Sequence, residues 1–169
     1  MKKILLISDT HGYLDEKILK YCDSVDEVWH AGDVGDVSLI DQIKKIKPFK
    51  GVYGNIDDQD VRKELPLDCK FNCDGLKVWI THIGGYPNKY QKRITDELKT
   101  DKVDLFICGH SHILKIIYDK RFDHLHINPG AIGNYGFHKK RTMVRFEINK
   151  RKIENLEVIE FDRKLSDSI

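Results

Sequence analysis

The stretch Ile4-Leu5-Leu6-Ile7-Ser8-Asp9-Thr10-His11 decides the fold, because an apolar run of strand length ends on residues that carry chemistry. Four apolar residues without polar alternation read as a strand buried on both faces, the habit of parallel sheets covered by helices. The pattern recurs downstream: Val28–Ala31 ends in Gly32-Asp33, and Phe49–Tyr53 ends in Gly54-Asn55. Between these runs, Asp15–Cys22 carries a helical apolar pattern. Val37–Ile46 spaces Val37, Ile40, Ile43 and Ile46 three apart and stops before Pro48. Strand–helix–strand–helix–strand predicts parallel βαβ units.

The second half has a different texture. Lys70–Cys73 and Leu76–Thr81 flank Asp74-Gly75, a hairpin signal. Lys89–Lys99 reads as a helix and Leu105–Cys108 as another short buried strand. Ile113–Asp119, Leu125–Ile127, Thr142–Ile148 and Ile153–Phe161 read as antiparallel strands, and Trp29 and Trp79 as core. The expected fold is an α/β four-layer α-β-β-α sandwich, with two mixed β-sheets packed face to face and helices outside. One domain over residues 1–162 is expected, with 163–169 a frayed tail.

Bulk properties narrow the function classes. The 29 basic and 27 acidic side chains leave a net charge of +2, far from the basic imbalance of an electrostatic nucleic-acid binder. The apolar run after Met1-Lys2-Lys3 is too short for a signal peptide or a membrane span, so a cytoplasmic location is expected and no membrane partner. Cys22, Cys69, Cys73 and Cys108 match neither C-x-x-C nor zinc-ribbon spacing and read as reduced thiols.

Five predicted strands end on donor residues: Asp9 and His11; Asp33; Asn55; His82; His110 and His112. In open α/β sheets the loops beyond the carboxyl ends of strands converge on one crevice. Any one of these turns is ordinary; Asp33, for instance, would serve as a helix cap for the Val37 helix. Five together point to one centre. Two carboxylates, an amide and four imidazoles, without thiolate, suit two divalent ions, manganese first, with nickel, iron or zinc as alternatives.

These residues in this order resemble the calcineurin-like metallophosphoesterase superfamily, with its D-x-H, G-D, G-N, H and G-H-x-H blocks and a following Asn128-Pro129-Gly130. The lack of insertions resembles its small bacterial and archaeal phosphodiesterase branch. The resemblance implies one ion held by Asp9, His11, Asp33 and His112, and another by Asp33, Asn55, His82 and His110, with Asp33 as the bridge. It departs at Ile56, where many members have a histidine thought to bind phosphate or protonate the leaving group. Asp57 is then a partner for a ligand histidine or a solvated loop carboxylate.

The expected activity is hydrolysis of small phosphate diesters by hydroxide generated at the ions, with Asn55 stabilising phosphate oxygens. Two rivals stand beside it: a noncatalytic interaction scaffold on the same fold, like the retromer subunit that resembles these enzymes, and a metal-dependent nuclease. A homo-oligomeric state is left open. His30 reads as a packed or outer-layer histidine, and His124, His126 and His138 as surface or outer-layer groups. His138-Lys139-Lys140-Arg141 reads as a solvated basic turn or a phosphate guide. The rim is assigned to Gly84–Tyr90 and Ala131–Arg141.

Overall fold

The computed structural model of the chain describes residues 1–163. The expected tail therefore lies outside the described residues, apart from Arg163, which donates to the His138 carbonyl at 3.1 Å. In order, the elements are β1 (Lys2–Ile7), α1 (Glu16–Asp23), β2 (Glu27–His30), α2 (Val37–Lys44), β3 (Phe49–Gly51), α3 (Gln59–Glu64), β4 (Asp68–Cys73) and β5 (Leu76–Thr81). They continue with α4 (Lys92–Thr100), β6 (Leu105–Ile107), β7 (Leu114–Asp119), β8 (His124–Pro129), β9 (Lys140–Asn149) and β10 (Lys152–Asp162).

The strands form two five-stranded sheets, in the orders β10-β9-β1-β2-β3 and β4-β5-β6-β8-β7. β1, β2 and β3 run parallel, as the alternating pattern predicts. One expectation fails in part. β7, β9 and β10 pair antiparallel, but β8 lies parallel to β6 on one side and antiparallel to β7 on the other. A strand's own residues do not reveal which neighbour it takes; β8 reaches β6 because β7 occupies the sheet edge.

Three apolar interfaces separate four layers. Ile4, Leu6, Trp29, Val78, Ile107 and Phe146 belong to the core between the sheets. Trp29 meets Phe71 and Phe146 edge to face, at 5.0 and 5.7 Å between ring centres; such pairs add about 0.5–1.5 kcal/mol beyond area burial. The opposite face of β1, with Leu5 and Ile7, packs on Ile18 of α1, Leu39, Ile40 and Ile43 of α2 and Val61 of α3. Trp79 and Phe106 pack on Ile94 and Leu98 of α4 beyond the other sheet.

The first three helices begin with one device. The carboxylates of Asp15, Asp36 and Asp58 accept first-turn amides at 2.8–3.1 Å. Asp36 thus caps α2, and Asp33 does not, leaving Asp33 free for the crevice. Helix α3 was not expected: six residues are too few to display a periodic stripe.

Glu27 is a buried carboxylate on β2 that accepts from Trp29 Nε1 at 2.8 Å, Lys2 at 3.0 Å and Lys50. Burial alone would raise its pKa from 4.5, but the bonds from Lys50, Trp29 and Lys2 outweigh that and hold it lower. A depressed folded value means that its stabilisation is present above pH 4.5 and is lost as pH falls through the folded pKa. Glu27→Gln is expected to cost about 1–3 kcal/mol at neutral pH and to flatten the acid limb of a denaturation-against-pH profile. A variant that loses stability below pH 4.5 as steeply as the wild type would contradict this.

Candidate metal centre

All seven sequence-predicted donors converge where the carboxyl ends of β1, β2, β3, β5 and β6 meet. Two triads of ligand atoms form, Asp9–His11–His112 and Asp33–His82–His110, the atoms of each within 4.8 Å of one another. Asn55 joins the second triad, its Oδ1 standing 3.1 Å from His82 Nε2. Asp33 faces both: Oδ2 is 3.6 Å from His11 Nε2 and Oδ1 is 3.2 Å from His82 Nε2. Asp9 Oδ1 lies 3.2 Å from His112 Nε2 and 4.0 Å from His82 Nε2.

The backbone is bent to bring these side chains together. Asp9, His11, Asp33, His110 and His112 all have φ between 46° and 72°, the left-handed region. Each such residue costs on the order of 1 kcal/mol, and clusters of them mark functional sites. Two glycines permit the crowding. A Cβ at Gly54 would stand 2.0 Å from Asp33 Oδ1, and one at Gly109 would stand 2.2 Å from Ser8 Oγ and 2.8 Å from Asp9 Oδ2.

Hydrogen bonds orient two of the four imidazoles, those of His82 and His112, with a lone pair inward. His82 Nδ1 lies 2.7 Å from the Ala31 carbonyl, which can only accept, so the neutral ring turns an unprotonated Nε2 toward Asp33 and Asn55. Burial draws the His82 pKa down, but the bond to Asp33 and the charge of Asp9 outweigh it and the pKa is raised. His138 repeats the logic for His112. Its Nε2 donates to the Gly133 carbonyl at 2.8 Å, leaving Nδ1 to accept from His112 Nδ1 at 3.3 Å. His112 Nε2 is thereby directed at Asp9.

The residues fit divalent ions on a further observation. Asp9 Oδ1 and His11 Nε2 are buried without a hydrogen-bond partner among the described residues. An unpaired buried acceptor is costly, and a cation satisfies it. The other oxygen of Asp9 is engaged, accepting from Ser8 Oγ at 2.6 Å and the His110 amide at 3.1 Å.

The supporting residues differ from expectation in several places. Asp57 is neither a histidine partner nor solvated. It is buried and accepts from the amides of Gly54, Gly35 and Val34 at 2.7, 2.7 and 3.1 Å, tying the loop after β3 to the loop after β2. The amide of Ile56 donates to Asp33 Oδ1 at 3.1 Å, while its side chain is exposed. His30 is fully buried, as the packed reading holds. Its Nδ1 accepts from the Gly32 amide at 3.1 Å and its Nε2 pairs with Thr10 Oγ1 at 2.9 Å, while burial lowers its pKa to about 4.

His124 and His126 are not surface groups. Both are buried on β8, where Tyr90 Oη meets His124 Nε2 at 2.9 Å and His126 Nδ1 at 3.0 Å. Arg141 is neither solvated nor a phosphate guide; it is buried, bonded to Asp15 at 3.2 Å and to the Ile132 carbonyl at 3.0 Å, over the Tyr13 ring. Asn128, from the Asn-Pro-Gly block, clamps the histidine turn. Its Nδ2 donates to the Gly109 carbonyl at 2.9 Å and to Ser111 Oγ at 3.1 Å.

A calcineurin-like phosphoesterase superfamily domain matches residues 1–151. A probable metallophosphoesterase of Mycoplasma pneumoniae is 31% identical over 138 residues, 78% of this chain and 80% of the relative. The chain belongs to the calcineurin-like phosphoesterase superfamily. Solved structures align with nearly the whole chain. A structure described as a novel archaeal phosphodiesterase matches with TM-score 0.74 and 24% identity, covering 94% of this chain and 99% of its own. Vps29 of Entamoeba histolytica, solved with zinc, matches with TM-score 0.72 and 17% identity, covering 96% and 99%. For this phosphoesterase-superfamily chain, phosphoric ester hydrolysis and metal binding are the general expectation, and the donor triads are its local form.

Asp57 offers a test of the loop clamp that is independent of any ion. Asp57→Ala leaves three amides without their acceptor and is expected to cost about 3 kcal/mol or more in urea denaturation of the metal-free protein. A loss under about 0.5 kcal/mol, the level of an ordinary surface change, would refute the clamp.

Proposed function

We propose that the chain is a phosphodiesterase that holds two divalent ions, manganese first among them, with nickel, iron or zinc as alternatives, and hydrolyses small phosphate diesters. The position of Asp33 carries this reading, because its two oxygens face different donor triads. Asp9, His11, Asp33 and His112 would hold one ion, and Asp33, Asn55, His82 and His110 the other. Bound there, the ions supply positive charge to the phosphoryl oxygens and acidify water near neutral pH.

The chain's own groups do the rest. Ser8 and the His110 amide occupy Asp9 Oδ2 and so leave Oδ1 facing the centre. Ala31 and His138 hold the lone pairs of His82 and His112 inward. Asn55 keeps an amide NH2 with which to donate to a phosphoryl oxygen as charge develops. Ile56 offers only its backbone amide, already given to Asp33, and no side-chain proton. That favours esters with good leaving groups, and diesters over monoesters. The near balance of charge favours small substrates over a nucleic-acid strand. A noncatalytic scaffold is the second reading, drawn from the likeness of fold to Vps29. The complete donor set weighs against it.

Purified protein is expected to hydrolyse bis(p-nitrophenyl) phosphate with added manganese and to stop on chelation. Asp33→Ala should lower turnover by about 100-fold or more, the scale of losing one transition-state contact. Absence of metal-dependent turnover across manganese, nickel, iron and zinc would remove the enzyme reading and leave the scaffold. Preferential cleavage of single-stranded DNA over small diesters would replace diesterase with nuclease.

A further inference from the structure

The donor set is flanked by two unlike hollows. The smaller, about 160 Å³, borders Asn55 and His82 and includes Arg93, which is already committed to Asp68 and Thr81. The larger, about 400 Å³, borders His110 and His112 and is walled by Ile113, Tyr135 and Phe137. That volume lies within the roughly 300–1,000 Å³ of small-molecule sites. Apart from histidines, no side chain lining it is ionisable below the tyrosine range.

Its apolar walls are exposed in an unusual degree. Ile113 is 60% exposed, Tyr135 70% and Phe137 fully exposed. Scattered apolar residues on a surface need no explanation, but a contiguous set at the mouth of a site marks a binding surface. The loop is also fitted to the donors. Gly136, at φ +127°, lets the backbone pass so close that a Cβ would stand 2.2 Å from His112 Nδ1, which brings Tyr135 and Phe137 to the rim. The Tyr135 ring lies 4.9 Å from the His11 ring, one ring's width from the centre.

Resting on the phosphodiesterase reading, we propose that Ile113, Tyr135 and Phe137 form a specificity subsite for a planar aromatic group, an aryl ring or a nucleobase, carried on the ester oxygen of the substrate. The small hollow beside Asn55 and His82 takes the other, slighter alcohol, so the preferred diester is asymmetric. Aromatic faces at Tyr135 and Phe137 stack on a flat ring of either kind, because every such ring offers a π-face. An aliphatic alcohol or a bare sugar would leave those faces in water.

The test is binding rather than turnover. Manganese-loaded protein is titrated by calorimetry with phenylphosphonate and with methylphosphonate, which share the charged head and differ in the ring. Nucleoside 5′-monophosphate against ribose 5-phosphate separates a nucleobase from an aryl group. In the wild type, the ring-bearing member of at least one pair is expected to bind about tenfold tighter, and in a parallel zinc-loaded sample, which is diamagnetic, to shift the Tyr135 and Phe137 ring resonances. The ratio should fall to near one in Phe137→Ser and in Tyr135→Ala, and stay at its wild-type value in Val158→Ser, an exposed apolar control on β10.

If methylphosphonate binds as tightly as phenylphosphonate, and the sugar phosphate as tightly as the nucleotide, the aromatic subsite is overturned and the phosphodiesterase reading stands. If no member of either pair binds with manganese present, the reading of the centre itself falls. A dimer that is lost in Phe137→Ser without change in the ligand ratio assigns this face to a second copy and overturns the subsite.

Discussion

Two carboxylates, Asp9 and Asp33, lie almost fully buried at the seam between the sheets, each facing imidazoles across 3.2 to 4.0 Å. Buried charge of one sign is expensive unless it is answered locally. The protein answers only part of it. One oxygen of Asp9 receives a hydroxyl and an amide, and one of Asp33 receives the Ile56 amide, while Asp9 Oδ1 has no hydrogen-bond partner among the described residues. That imbalance is the constraint the surrounding structure serves.

Its costs are visible in the backbone. Five donors sit in left-handed conformations, and glycines are required where Asp33 and Asp9 press against their neighbours. The gains that offset these costs come from rigid contacts nearby. Asp57 gathers three amides from two loops, Asn128 holds the turn between His110 and His112, and His30 ties Thr10 to Gly32. Beneath them the inter-sheet core supplies close packing, so the loops are anchored on elements that do not yield.

Much of this was legible in the sequence, for a physical reason. Buried parallel strands are apolar without interruption, so a polar residue marks their end, and the end is where a ligand crevice forms; Asp9, Asp33, Asn55, His82, His110 and His112 all declare themselves in that way. Residues whose partners arrive from afar do not. Asp57 looks like a loop carboxylate because two of its three amides belong to a loop some twenty residues earlier. His124 and His126 alternate with Leu125 and Ile127 as on a half-exposed strand, yet their face is covered by Tyr90 and Phe106. Arg141 reads with its basic neighbours, but Asp15 and Tyr13, more than a hundred residues away, enclose it. Left-handed geometry at aspartate and histidine leaves no compositional trace at all.

The topology also sets an order of events. β1 leads into Asp9 and lies in the middle of its sheet, between β2, about twenty residues on, and β9, which pairs Lys2 with Ile148. The nitrogen-rich share of the donors, His82, His110 and His112, belongs to the other sheet. During synthesis the strand that leads into the Asp9 carboxylate therefore keeps one edge open until β9 has been made. Contacts of such long separation close late and slowly. An ion that joins the two sheets would act as the latch on that last closure, so the availability of metal in the cell would bear on how much of the newborn protein reaches its finished shape as well as on its chemistry.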